Sequence, residues 1–282
     1  MSKKEVRFPP MDKLIITAAI SGSRITREMT PYVPITPEEI VQSAIECWNA
    51  GASIVHIHVR DPDTGLGTQE LEIFKQVVEP LREKTDLILC LTTSGIPGRN
   101  LPIEERLAPL ELKPELASFD AGSINLGGFV FINSPEFLEQ AASKMRDLGV
   151  KPELEIFDSG MLMTCIRMRE AGKLAAPLHF QLVLGTPWGA AATAKSLIYL
   201  HEYLPENSTW SVIGIGKGHL PMSMMALAMG GHIRVGMEDN IYYTKGVLAK
   251  TNAQFVERIV RITQEYGREI ATPDESRRIL NL

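Results

Sequence analysis

Two histidines separated by one residue, His56 and His58, stand in the run Ile54 Val55 His56 Ile57 His58 Val59 Arg60 Asp61. The apolar residues predict a strand, and its two-residue period puts both imidazoles on one face with Val55, Ile57 and Val59 on the other. Two imidazoles stacked near a strand end can reach one divalent ion; two buried, hydrogen-bonded side chains are the alternative. The chain has six histidines, and setting two of them opposite a wholly β-branched face is a poor arrangement unless that side looks into a polar cavity. Arg60 and Asp61 then open a loop of small, polar and glycine residues, 62–68, which reads as the mouth of a site.

A second centre is Ile233 Arg234 Val235 Gly236 Met237 Glu238 Asp239 Asn240. Alternation turns Arg234 inward, and either carboxylate beyond it would complete two histidines and one acid, a common catalytic zinc set with an open position. The other acid would then pair with Arg234 and act as base; a solvated acidic loop is the alternative. Glu155 alternates with Leu154 and Ile156, so it points into the interior, where an unpaired carboxylate is costly. It must pair with a cation such as Arg234, bond a ligand or hold a proton. Gly214, Gly216 and Gly218 flank Lys217 and fit either a phosphate loop or tight packing. His219 lies near the mouth, His232 deeper, and His179 and His201 look structural. Pro187 and Trp188 suggest a pocket wall, and Met222, Met224, Met225 and Met229 a core or subunit contact.

The elements that must position these residues alternate. Strands are expected at Leu14–Ile20, Ile54–Val59, Leu87–Thr92, Leu116–Phe119, Glu153–Phe157, Leu178–Leu184, Trp210–Ile215 and His232–Val235. Helices lie between them. Thr36 Pro37 Glu38 Glu39 and Ser134 Pro135 Glu136 are helix starts, a short helix is expected at Ile103–Leu110, and a long helical pattern runs from Val247 to about Tyr266. Eight such units without a linker predict one (β/α)8 TIM barrel over residues 1–282. An extension, 1–13, would precede it, and a last helix, about 273–282, would be capped at Thr272. A doubly wound sheet is the runner-up, but a strand-linked Gly-x-Gly-x-x-Gly start is missing. Barrel sites sit at the carboxyl ends of strands, which brings forward Thr92, Ser94, Gly95, Ser118, Asp120 and Asp158 as well.

Composition excludes other classes. The chain is 44% hydrophobic and 22% charged, enough for a large core, and its net charge of -5 gives no reason to expect nucleic acid or an anionic membrane. No run approaches a membrane helix, and the opening residues lack the apolar stretch of a signal peptide. Three scattered cysteines, Cys47, Cys90 and Cys165, favour a reducing, cytoplasmic setting. A homo-oligomer, such as a tetramer, is the expected assembly.

Several motifs together resemble the beta-keto acid cleavage enzymes. They are Thr17 Ala18 Ala19 Ile20 Ser21 Gly22, His56 Ile57 His58 Val59 Arg60 Asp61, Pro114 Glu115 Leu116 Ala117 Ser118, Pro152 Glu153 Leu154 Glu155 Ile156 Phe157 Asp158 and Arg234 Val235 Gly236 Met237 Glu238 Asp239. They run in order over nearly the whole chain. The resemblance implies a zinc-dependent exchange in which a beta-keto acid and acetyl-CoA give acetoacetate and a new acyl-CoA. It implies His56, His58 and Glu238 as zinc ligands and Arg234 with Asp239 as the dyad that deprotonates acetyl-CoA. By the same resemblance Glu155 assists proton handling, and Thr92, Ser94, Gly95 and Ser118 seat the keto-acid carboxylate.

One departure bears on substrate. Family members acting on an amino-keto acid carry a Glu in the first loop for the substrate ammonium, where this chain has Arg24. A positive residue suggests a distal carboxylate, as in a beta-keto dicarboxylic acid; Arg27 nearby complicates this. The rivals are another metal-dependent barrel aldolase or hydrolase, though hydrolases of that kind usually carry His-x-His on the first strand, and a non-catalytic binding barrel.

Overall fold

Local chemistry starts the helices where the sequence predicts. The Thr36 and Thr272 hydroxyls accept the backbone N–H of Glu39 and Glu275, whose carboxylates accept the cap N–H groups in return, while Ser134 caps through Phe137 N–H. Asp158, a candidate site residue from the sequence, proves to be another cap: its Oδ1 accepts from Met161 N–H at 2.9 Å.

The computed structural model describes residues 12–96 and 98–282, so the expected extension lies outside them except for residues 12 and 13. Eight parallel strands close a barrel. They are β1 (Ile16–Ala19), β2 (Ile54–Ile57), β3 (Ile88–Leu91), β4 (Leu116–Asp120), β5 (Lys151–Ile156), β6 (His179–Leu184), β7 (Thr209–Gly214) and β8 (His232–Val235). Closure joins β8 to β1 with Thr17 opposite Arg234. Around it stand α1 (Pro37–Asn49), α2 (Leu71–Lys84), α3 (Ile103–Arg106), α4 (Pro135–Leu148), α5 (Ser159–Glu170), α6 (Ala194–Glu202), α7 (His219–Met229), α8 (Ala253–Tyr266) and α9 (Pro273–Leu280). The doubly wound alternative is thereby excluded.

Burial sorts the two faces of each strand. Val55, Ile57 and Val59 pack against Ile40 and Ala44 of α1 and Phe74, Val77 and Val78 of α2, leaving the histidines on the interior side. The interior is polar: Thr17, His56, Ser118, Glu153, Glu155, Gln181, Ser211 and Arg234 are all buried. Apolar burial against the helices holds the barrel together, and the interior is free to carry chemistry.

Two expected helices differ. The pattern from Val247 begins as a helix only at Ala253, because Val247–Leu248 pairs with Tyr242–Thr244 in a hairpin turned at Gly246, where φ is +78°. The helix expected over Ile103–Leu110 breaks after Arg106 into a 3-10 turn, Ala108–Leu112, since Pro109 has no N–H for the α ladder. A further hairpin, Ile124–Leu126 with Phe129–Phe131, turns at Gly127 and Gly128. Among the described residues no helix is long and apolar enough to cross a membrane.

Gly236, just past β8, is fixed by contact. Its φ is +145°, and a Cβ there would stand 2.0 Å from the Ala19 carbonyl oxygen. Gly236→Ala is expected to destabilise the protein by ~2–4 kcal/mol, measured from the urea unfolding midpoint. A midpoint equal to the parent's would show that β1 and this loop separate without cost.

Candidate metal centre and substrate cavity

The segment after β8 places its side chains because other residues hold its backbone. Asn252 Oδ1 accepts Met237 N–H at 2.8 Å, and Asn252 Nδ2 donates to Ile20 O at 3.0 Å. On the facing side the Ser21 hydroxyl donates to His58 O at 2.8 Å, and buried Arg60 donates to Ser21 O at 2.7 Å. Gly22 can then lie against Glu238: a Cβ at Gly22, where φ is +56°, would be 2.6 Å from Glu238 Cγ. Arg60, expected at the mouth, therefore acts as a brace, and Asp61 Oδ1 organises its own loop by accepting from Asp63 N–H and Thr64 N–H.

His56, His58 and Glu238 meet at this point. Glu238 Oε1 is 3.6 Å from His56 Nε2 and 3.4 Å from His58 Nε2, and the imidazole centroids are 5.1 Å apart. One ligating atom from each lies within 4.8 Å of the other two. Burial holds the His56 imidazole well below its usual pKa, so it is neutral and has a lone pair to give. Glu238 Oε2 is buried without a hydrogen-bond partner. Two nitrogens and a carboxylate with an orphaned oxygen, facing a cavity, fit a zinc ion with an open coordination position.

Arg234 stands beside this set in the grip of three acids. Its Nε donates to Asp239 Oδ2 at 3.0 Å and its Nη2 to Asp239 Oδ1 at 3.1 Å, a two-point pairing. Nη2 also meets Glu238 Oε1 at 2.7 Å, and Nη1 meets Glu155 Oε1 at 3.3 Å. Burial works to lower the guanidinium pKa, yet the surrounding carboxylates hold it well above its ordinary range. For Asp239 burial wins and pushes its carboxyl up to about 6 against the pull of Arg234. Glu238 goes the other way: burial would raise it, but the Arg234 guanidinium above all brings it well below the usual carboxylate range. Glu155 is raised well above that range by burial and by Asp120, its register partner on β4. Adjacent acids are thus driven apart, Glu238 toward the charged form a cation needs and Asp239 toward the middle range of a general base.

A cavity of about 380 Å³ opens here, lined by His58, Glu155, Arg234, Glu238, Asp239, Ser94, Gly95, Asp120 and Arg24 among others. Thr92 and Ser118 do not line it. Thr92 Oγ1 accepts Ser94 N–H at 3.1 Å, and Ser118 Oγ accepts Thr93 N–H at 3.0 Å, so they shape the loop that presents Ser94. His219 is also away from the cavity, packed edge-on to Phe255 with centroids 5.0 Å apart. Pro187 lines the wall, whereas Trp188 is 74% exposed. Packing explains two of the three glycines after β7: a Cβ on Gly214 would come 2.4 Å from Gly218 O, and one on Gly218 2.5 Å from Ala192 Cβ.

Residues 13–282 match the family model of the beta-keto acid cleavage enzyme. The chain belongs to that family. It is 47% identical to the 3-keto-5-aminohexanoate cleavage enzyme of Fusobacterium nucleatum, over 96% of this chain and 99% of that one. It is 36% identical to the 3-oxoadipate:acetyl-CoA acetyltransferase of Cupriavidus necator, over 95% of this chain and 94% of that one. Among solved structures, ObcA in a ternary complex with a C4-CoA adduct and oxalate shares the fold. Its TM-score is 0.77 at 22% identity, covering 89% of this chain and 68% of ObcA.

In this member of the family, sequence reasoning missed the supports of the cavity. Arg106 is the clearest: its guanidinium stacks 3.6 Å from the Phe137 ring centroid and donates to Thr93 O, Ile132 O and Asn133 Oδ1. It ties the Ser94 loop to the hairpin whose Phe129 and Phe131 roof the cavity. No local pattern marks such a residue, because its partners come from three separate segments. Asp120, named in the sequence only as a strand-end candidate, accepts from the Ser94 hydroxyl at 2.9 Å.

Proposed function

We propose that this enzyme condenses a beta-keto acid with acetyl-CoA and releases acetoacetate and a new acyl-CoA. The observation that carries this reading is a His56–His58–Glu238 donor set beside a buried Arg234–Asp239 dyad, with His58, Glu238, Arg234 and Asp239 all lining one cavity. The names of the relatives, one a cleavage enzyme and one an acetyl-CoA acetyltransferase, agree with it.

His56, His58 and Glu238 would hold a zinc ion, and the chemistry it would supply when bound is Lewis-acid polarisation of the keto oxygen. Asp239, oriented by the Arg234 guanidinium, takes a proton from C2 of the beta-keto acid, the methylene between its keto and carboxylate carbons. The proton does not come from the acetyl-CoA methyl, because a carbanion formed there would bond to the keto carbon and the later cleavage would release acetate. The C2 carbanion adds to the acetyl carbonyl of acetyl-CoA, and Arg234 offsets the negative charge that develops beside it. Glu155, whose carboxyl burial and Asp120 raise well above its usual range, assists proton handling beside the Asp239 carboxylate. Coenzyme A leaves the acetyl carbon as its thiolate and adds to the keto carbon. The bond between C2 and that carbon then breaks, and C1 and C2 depart with the acetyl unit as an acetoacetate carbanion that takes the proton back. The former keto carbon keeps coenzyme A as the new acyl-CoA. Ser94 and Gly95, backed by Thr92 and Ser118, seat the keto-acid carboxylate.

For the distal end of the substrate the reading favours a second carboxylate. Arg24 lines the cavity with its guanidinium 5.6 Å from the Phe129 ring centroid, whereas Arg27 is occupied by Glu39 at 2.6 Å. Overall identity leans toward the amino-keto relative, but a guanidinium repels an ammonium whatever the rest of the chain resembles. Assayed with acetyl-CoA across a panel of beta-keto acids, a dicarboxylic acid of five or six carbons is expected to exceed the 5-amino acid in kcat/KM by about tenfold or more, one charge-assisted contact. Arg24→Glu should reverse the order. Equal turnover of the two acids by the parent would sink the dicarboxylate assignment.

A further inference from the structure

Deeper in the barrel than the Glu238 carboxylate lies a second cluster, of which the proposed reaction uses only His56. His56, Cys90 and Glu153 each place one ligating atom within 4.8 Å of the other two, and all three are buried. Register sets His56 opposite Cys90 across β2 and β3, and Glu153 on β5 reaches them through its side chain. The Cys90 thiol donates to Glu153 Oε2 at 3.4 Å. Two other atoms of this cluster, His56 Nδ1 and Glu153 Oε1, are buried without a hydrogen-bond partner. Burying both unmet is costly, and one is a potential donor, the other an acceptor.

The ring of His56 makes the connection. Its Nε2 is the nitrogen that faces Glu238. An imidazole that ligates through Nε2 carries its proton on Nδ1 and requires an acceptor there.

We infer that Glu153 is a positioning residue for His56: its Oε1 accepts the Nδ1–H, fixes Nε2 as the ligating nitrogen and sets the ring plane toward Glu238 and His58. The inference rests on the metal reading proposed above. The rival partner for Oε1 is His179, whose Nε2 is 3.9 Å away and whose Nδ1 is engaged with Thr209 Oγ1 at 2.9 Å. If Glu153 served only that contact, its removal would affect stability and leave metal affinity alone.

The test is zinc affinity of the chelator-stripped protein, measured in competition with a chromophoric chelator. Glu153→Leu is expected to weaken zinc binding about 10–100-fold, the range for loss of a ligand's supporting acceptor, while Glu153→Gln, which keeps an acceptor oxygen, stays near wild type. Wild-type affinity in a Glu153→Leu protein with native circular dichroism would overturn the inference. Should that variant fail to fold, the imidazole 15N spectrum of the zinc-loaded wild type decides: a hydrogen-bonded proton on His56 Nδ1 supports it, and a proton on Nε2 overturns it. A wild-type protein that takes up no zinc overturns the metal reading itself.

Discussion

Asp239→Asn is expected to lower kcat for acyl exchange by about 10²–10⁴-fold, the range contributed by a positioned general base. The amide keeps the shape and one acceptor for Arg234 but cannot take a proton from C2 of the beta-keto acid. Because the metal set is His56, His58 and Glu238, zinc content should stay at the wild-type level in Asp239→Asn and fall in His58→Ala. The separation follows from the way burial and Arg234 act on two neighbouring acids, raising Asp239 and lowering Glu238. Loss of zinc in Asp239→Asn, or retention of full kcat, would exchange or erase the two roles.

Arg234→Met carries the largest expected effect on stability. The guanidinium is 2% exposed and is shared by Asp239, Glu238 and Glu155 at 2.7–3.3 Å. Removing the cation leaves buried acids facing one another, and breaking one partner out of a buried ion pair costs about 3–5 kcal/mol. Metal-free protein should show this loss in full in denaturant unfolding, and zinc should restore part of it because the ion replaces the missing positive charge beside Glu238. Arg234→Lys is no rescue, since a single ammonium cannot make the two-point contact with Asp239 and still reach Glu155. An Arg234→Met protein as stable as the parent would mean that the acids are already neutral without Arg234.

How far the sequence discloses this site depends on how local each signal is. The barrel strands were legible because each is a short apolar run between helix starts with their own caps, and the His56–His58 face followed from a period of two. Glu155 and Arg234 were readable as inward residues by the same period, and the sequence offered either a salt bridge or a functional role for Glu155; the structure joins the two at 3.3 Å. The helix expected from Val247 failed because its first apolar residues pair in a hairpin, and neither strand is long enough to show a period. Strand ends bring Thr92 and Ser118 forward and the family resemblance places them with the substrate carboxylate, but their oxygens turn back to hold the chain. Arg106 and Asn252 were silent: each binds backbone from distant segments, and nothing in a linear sequence marks such contacts.

The most direct test follows the carbon. With acetyl-CoA labelled by 13C in both acetyl carbons and an unlabelled beta-keto acid, the account predicts acetoacetate labelled at its keto and methyl carbons. Its other two carbons should be unlabelled, and an unlabelled acyl-CoA should form in equal amount. Acetoacetate without label, or keto-acid cleavage that proceeds without coenzyme A, would contradict it and point to a metal-dependent aldolase or hydrolase on the same barrel.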